Sequence, residues 1–133
     1  MLQWSSLYET GVPLVDAQHK VLFENINKLE EMTRQSEIHP RDVDRLVAFL
    51  EGYVVNHFNF EEQCMKRYHC PAHEENKRAH AQFLDAFGKL KAEYLVQGPT
   101  HAFLTKLNGA ASNWIHNHIL KIDMKMKGVA APH

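Results

Sequence analysis

Apolar side chains recur at intervals of three and four along most of the chain, the spacing that lines up one face of an α-helix. Val15, His19, Leu22, Ile26 and Leu29 make a first stripe, opening at or just before Asp16. The polar stretch SEIH then leads to Pro40, a residue suited to the first turn of a helix, and Val43, Leu46, Leu50, Tyr53, His57, Phe60, Glu61 and Cys64 form a second stripe. Pro71 in the segment HCP interrupts the pattern, after which Asn76, His80, Phe83, Phe87, Leu90 and Tyr94 make a third that Gly98 and Pro99 stop. Phe103, Leu107, Ala111, Trp114 and His118 make a fourth, and GVAAPH after Lys127 reads as a frayed terminus. The pattern predicts helices over about 15–36, 41–68, 72–96 and 100–126, preceded by an arm over about 1–14. No segment alternates with the period expected of a strand. Short turns between helices of roughly 20 residues force neighbours to run antiparallel, so the expected fold is all-α, an up-down-up-down four-helix bundle with the arm across its outside. At 133 residues the chain reads as a single domain.

Charge and composition narrow the function classes. Lys plus Arg is 15 against 16 Asp plus Glu, a net charge of -1 with no block of like charge, so no footprint for nucleic acid or an anionic membrane is expected. No apolar run approaches the roughly 18 to 20 residues that cross a bilayer, and MLQWSSLYE lacks the basic start and apolar stretch of a signal peptide, so a cytoplasmic location is expected. Cys64 and Cys70 make neither a disulfide framework nor a CxxC pair. A zinc site from Cys64, Cys70 and His73 would lack a fourth ligand. No general base, nucleophile or phosphate-cradling glycine loop is recognisable, which leaves hydrolysis and phosphoryl transfer without support.

The chain has ten histidines, and their placement changes the picture. His19, His57, His80 and His118 lie on the apolar stripes, one on each predicted helix. Burying an imidazole without a partner costs about 1 to 3 kcal/mol, so one such residue is tolerable while four require a common explanation. Glu61, one turn after His57, adds a carboxylate to the same face. Imidazoles with carboxylates and no thiolate suit iron, zinc or manganese, and the set is too large for one tetrahedral zinc, which favours two metal ions. Asp123 completes the set. Residues five apart on a straight helix point about 140° from each other, so Asp123 meets His118 only through a bend or an outward arc of its side chain. His116 falls off the stripe and reads as peripheral, as do His39, His69, His101 and His133.

In this order the motifs resemble the hemerythrin family, specifically its single-domain bacterial members. GVPLVDAQHKVLF with Asn27 and Leu29 is similar to the family's first helix, HFNFEEQCM to its second, NKRAHAQF to its third and WIHNHILKID to its fourth. The resemblance covers nearly the whole chain. It implies two iron ions in an oxo- or hydroxo-bridged di-iron centre that binds O2 reversibly, as an oxygen carrier or store and not as an enzyme. One iron would be held by two histidines, the other by three, with a Glu and an Asp bridging. Carried over by position, His19 and His57 would hold the first iron, His80 and His118 the second, and Glu61 and Asp123 would bridge. O2 would enter an apolar, water-poor pocket, for which Leu22, Phe23, Phe58, Trp114 and Ile119 are candidates. A di-iron enzyme acting on peroxide, NO or Fe(II), and an O2-sensing module for an unknown partner, are the competing readings.

One position departs from the family pattern. The third helix usually carries HxxxH, but here Asn76 stands first, giving NKRAH. Asn is a neutral and poor substitute for imidazole on iron. His73, seven residues before His80 and within about 20° of the same face, is the substitute fifth ligand to expect. Asn76 or a water in that place, or loss of the second iron, are the other outcomes.

Overall fold

The computed structural model describes residues 2–126. Four helices, α1 (Pro13–Arg34), α2 (Pro40–Arg67), α3 (His73–Gln97) and α4 (His101–Lys121), account for most of them, and no strand occurs among the described residues. Each helix packs on its neighbours in chain order, with α1 also against α4, which closes the bundle.

Local chemistry sets the helix ends. Pro13 and Pro40 both occupy the first turn, where a missing N–H costs nothing, so α1 opens slightly earlier than the stripe alone suggests. The Asp16 carboxylate accepts from both the backbone N–H (2.9 Å) and the hydroxyl (2.8 Å) of Thr10, tying the arm to the first turn of α1. Gly98 ends α3 at φ 81° and ψ −173°, a conformation essentially confined to glycine. Thr100 then caps α4 by accepting from the Phe103 N–H at 3.1 Å.

α4 ends at Lys121 and does not run on to 126. Ile122 leaves the helix at φ −117° and ψ −57°, and Asp123–Met126 forms a separate turn of 3₁₀ helix. That turn is held from several sides. Met126 is fully buried, the Lys125 ammonium reaches the Glu75 carboxylate of α3 at 2.6 Å, and the Cys70 thiol lies 3.7 Å from the Lys125 carbonyl.

The arm lies across α1 and α4. Asn27 pairs with Leu2 through both its amide groups, at 3.0 and 2.8 Å. Trp4 and Tyr8 pack edge-on against Phe23, Lys20 lies over the Trp4 ring, and the Tyr8 hydroxyl is hydrogen-bonded to His116 Nδ1 at 2.7 Å.

Two apolar regions divide the interior. The larger runs along the bundle through Leu22, Ile26, Leu29, Leu50, Phe58, Leu104, Leu107 and Ile119. The smaller gathers Val12, Val15, Met65, Cys70, Ala72 and Met126. His19 sits on α1 between Val15 of the small region and Leu22 of the large one, and Glu61 sits on α2 between Phe58 and Met65, so a polar layer separates the two. None of the helices is long and apolar enough to cross a membrane.

Candidate metal centre

The layer between the two apolar regions holds His19 from α1, His57 and Glu61 from α2, Asn76 and His80 from α3, His118 from α4 and Asp123 from the terminal turn. All are buried. The helical face that buries each stripe turns its polar member toward the same point, which is why four separate helices deliver side chains to one place.

Glu61 lies at the middle, and its two oxygens face different partners. Oε2 is 3.1 Å from His19 Nε2 and 3.3 Å from His57 Nε2. Oε1 is 3.1 Å from His80 Nε2 and 3.9 Å from His118 Nε2. Asp123 repeats the division, with Oδ2 3.2 Å from His19 Nε2 and Oδ1 3.0 Å from His118 Nε2. Two groups of ligand atoms close enough for a metal ion result: Glu61, His80, His118 and Asp123 on one side, His19, His57 and Glu61 on the other. The break at Ile122 is what lets Asp123 face His118; the 140° of a continuous helix never has to be bridged.

Several buried atoms in this layer lack a hydrogen bond: both carboxylate oxygens of Asp123, Asn76 Oδ1 and His19 Nδ1. The Asp123 oxygens lie at ion-pair distance from imidazole nitrogens without the alignment of a hydrogen bond. Imidazoles and carboxylates converging on one place with no thiolate among them, and with both Asp123 oxygens lacking a hydrogen bond, fit hard to intermediate cations such as iron. The donor set therefore fits a pair of metal ions.

Electrostatics in the metal-free layer point the same way. Burial works against a charged His19, yet Asp123 and Glu61 overcome it and raise its pKa from 6.5 to about 10. His118 is raised to about 9 by the same balance of burial against Asp123 and Glu61. Burial would raise Glu61, but the imidazoles of His118, His19, His57 and His80 around it hold it well below the usual carboxylate range. Two protons on imidazoles thus balance two buried carboxylates, occupying the role that cations can take.

Outside this layer, two groups orient the imidazoles. His57 Nδ1 is 2.6 Å from Gln18 Oε1 and His80 Nδ1 is 2.9 Å from Glu62 Oε2. Each oxygen accepts the Nδ1 proton and leaves Nε2 with its lone pair toward the centre. Phe58 stacks flat on His80 and Trp114 on His118. Beyond these rings lies an apolar cavity of about 30 Å³, lined by side chains including Leu22, Phe58, Phe83, Ala111 and Trp114. Of the expected pocket residues, Leu22, Phe58 and Trp114 line it. Ile119 is buried without lining it, and Phe23 supports the arm instead.

His73 is not brought to the centre. It is the first residue of α3, its side chain is 22% exposed and its Nδ1 lies 3.5 Å from the Glu74 carboxylate. Asn76 occupies the inward position, 0% exposed. Cys64 and Cys70 are free and belong to neither ligand group. His39, His69, His101 and His116 are exposed, while His133 lies outside the described residues. Gln18 and Glu62 are roles that periodicity does not single out, since both side chains sit beside a stripe; their one signal is adjacency to His19 and Glu61.

Comparison with known proteins places the fold in a family. The family model described as the hemerythrin HHE cation binding domain matches residues 10–130. Bacteriohemerythrin of Pseudomonas aeruginosa (strain LESB58) is 31% identical over 123 residues, covering 92% of this chain and 76% of that protein. Myohemerythrin of Theromyzon tessulatum is 29% identical, covering 95% of this chain and 91% of that protein. A crystal structure of wild-type hemerythrin superimposes with a TM-score of 0.83 at 21% identity, over 99% of both chains, a likeness of fold. With a bundle of this shape, a polar layer of this composition and a family match over almost its full length, the chain belongs to the hemerythrin family.

Proposed function

We propose that the chain is a non-haem di-iron protein that binds O2 reversibly, as a carrier or store. The observation that carries this reading is the division of Glu61 and Asp123, each with one oxygen toward His19 and the other toward His118 or its neighbour His80. His19 and His57, with one oxygen of each carboxylate, would hold one iron; His80 and His118, with the remaining oxygens, would hold the other. When bound, two ferrous ions supply the pair of electrons that O2 binding draws on and that its release returns.

The chain's own residues do the rest. Gln18 and Glu62 fix the ring orientation of His57 and His80, so the site needs little rearrangement to accept metal. Phe58 and Trp114 cover the imidazoles on the side of the large core and keep water away from them. The cavity beyond is lined by apolar groups, which favours a small apolar gas over water. Dry surroundings suit retention of bound O2 over turnover, so the reading is of a binding protein and not an enzyme. A cytoplasmic setting accords with the free thiols of Cys64 and Cys70.

Anaerobic loading with Fe(II) tests the reading. Two irons per chain, with a visible absorption band that appears on O2 exposure and disappears when O2 is removed, are expected. Direct oxidation to a ferric form that evacuation does not reverse would overturn it.

A further inference from the structure

Asn76 lies one turn before His80 on α3 and is fully buried. Its amide Nδ2 donates to Glu61 Oε1 at 2.8 Å and approaches Met65 Sδ at 3.3 Å. The reverse orientation would set Oδ1 against a carboxylate oxygen, acceptor against acceptor, so the network selects the one observed. Oδ1 is then left without a donor in the dry interior. Buried acceptors of this kind are costly unless something in the completed site supplies a proton.

The side of the centre on which this happens is defined. Glu61 Oε1 is the oxygen that faces His80 and His118. That side offers His80, His118, Glu61 and Asp123 as ligands, and His73 is turned outward beside Glu74. On the other side His19 and His57 share Glu61 Oε2, and His19 also meets Asp123 Oδ2. Each side therefore has two imidazoles and one oxygen from each carboxylate, a nearly symmetric arrangement in which neither metal ion is filled by protein.

We infer that Asn76 is not a ligand but an acceptor beside an open coordination position on the metal ion held by His80 and His118, and that this position takes water exchangeable for a small neutral molecule. The Asn76 amide holds Glu61 in place through Nδ2 and accepts a hydrogen bond from the water at Oδ1. Both metal ions of this centre, not one, are then accessible to exogenous ligands. The inference rests on the di-iron reading above.

Titration of the diferrous protein with nitric oxide, followed by Mössbauer spectroscopy, tests it, since each ferrous ion that takes up the gas changes its signal separately. Conversion of both irons in the native protein, and of one only in Asn76→His, is expected. Conversion of one iron in native protein that carries two overturns this inference and leaves the di-iron reading standing. One iron per chain overturns both. The native count stands even where Asn76→His fails to fold; conversion of both irons in a folded Asn76→His would remove Asn76 from the role.

Discussion

The Phe58 ring lies parallel to the His80 imidazole, 3.8 Å between centroids and 4° between planes. Phe58 also packs against Phe83 and Trp114, so one side chain joins the large core to a proposed metal ligand. Phe58→Ala is expected to destabilise the fold by about 3 to 5 kcal/mol through lost burial and a residual cavity. The same change leaves the His80 ring free to turn, so metal is released faster than from Phe58→Leu. Denaturant unfolding of the metal-free protein, alongside the rate of iron loss to a chelator, separates the two effects.

Glu62 sits beside the centre, with its carboxylate 2.9 Å from His80 Nδ1. Glu62→Ala is expected to weaken metal affinity by roughly 10- to 100-fold with little change in helix content. Gln18→Ala, which removes a neutral partner from His57 Nδ1, is expected to fall at the lower end of that range. Competition titration against a chelator of known affinity checks both, and equal affinity for native and Glu62→Ala protein would remove the orienting role.

The protons on His19 and His118 give the metal-free protein a distinctive response to pH. Their pKa values rise from 6.5 to about 10 and about 9 on folding, so their stabilisation is complete below about pH 6.5 and lost as pH climbs through 9 to 10. Glu61 has the opposite sign: depressed in the fold, it stabilises above its ordinary value of 4.5 and the gain is lost as pH falls through its lowered value. Metal-free protein should therefore melt at lower temperature at alkaline pH, and metal-loaded protein should not share that loss. Loading at pH 7 should also release the His19 and His118 protons, measurable with an indicator in weak buffer.

The four inward histidines and Glu61 were legible because each replaced an apolar residue on a helical stripe, a substitution that periodicity exposes. Asp123 was legible in kind but not in geometry. Nothing in ILKIDMKM, with neither glycine nor proline, marks the end of α4 at Lys121; the turn is fixed by burial of Met126 and the ion pair of Lys125 with Glu75, contacts between distant parts of the chain. His73 and Asn76 illustrate another limit. Both lie near the face of His80, and periodicity alone does not rank them. The start of α3 at His73 ranks them, because a first-turn residue at the bundle end is exposed to solvent while Asn76 is enclosed by Glu61 and Met65.

His116 and His118 are two residues apart and differ in every respect that matters. His118 is buried among the proposed ligands, and His116 is exposed and holds the arm through Tyr8. Tyr8→Phe is expected to cost about 0.5 to 1.5 kcal/mol of stability, the range for one hydrogen bond, and His116→Ala a similar amount. Neither should alter the number of metal ions bound, whereas His118→Ala should. Metal analysis of the three variants checks this, and loss of iron from His116→Ala would contradict the assignment.

The position of Asp123 beyond the last helix bears on when the centre can form. His19 and Asp123 face each other across the bundle at 3.2 Å although 104 residues separate them in sequence. A chain emerging from the ribosome presents His19, His57, Glu61 and His80 long before the final carboxylate arrives. Capture of metal in its finished arrangement is thereby deferred until synthesis has passed residue 123 and the terminal turn has docked. The centre acts as a clasp between the first helix and the last turn, closing only on a chain already threaded into its bundle.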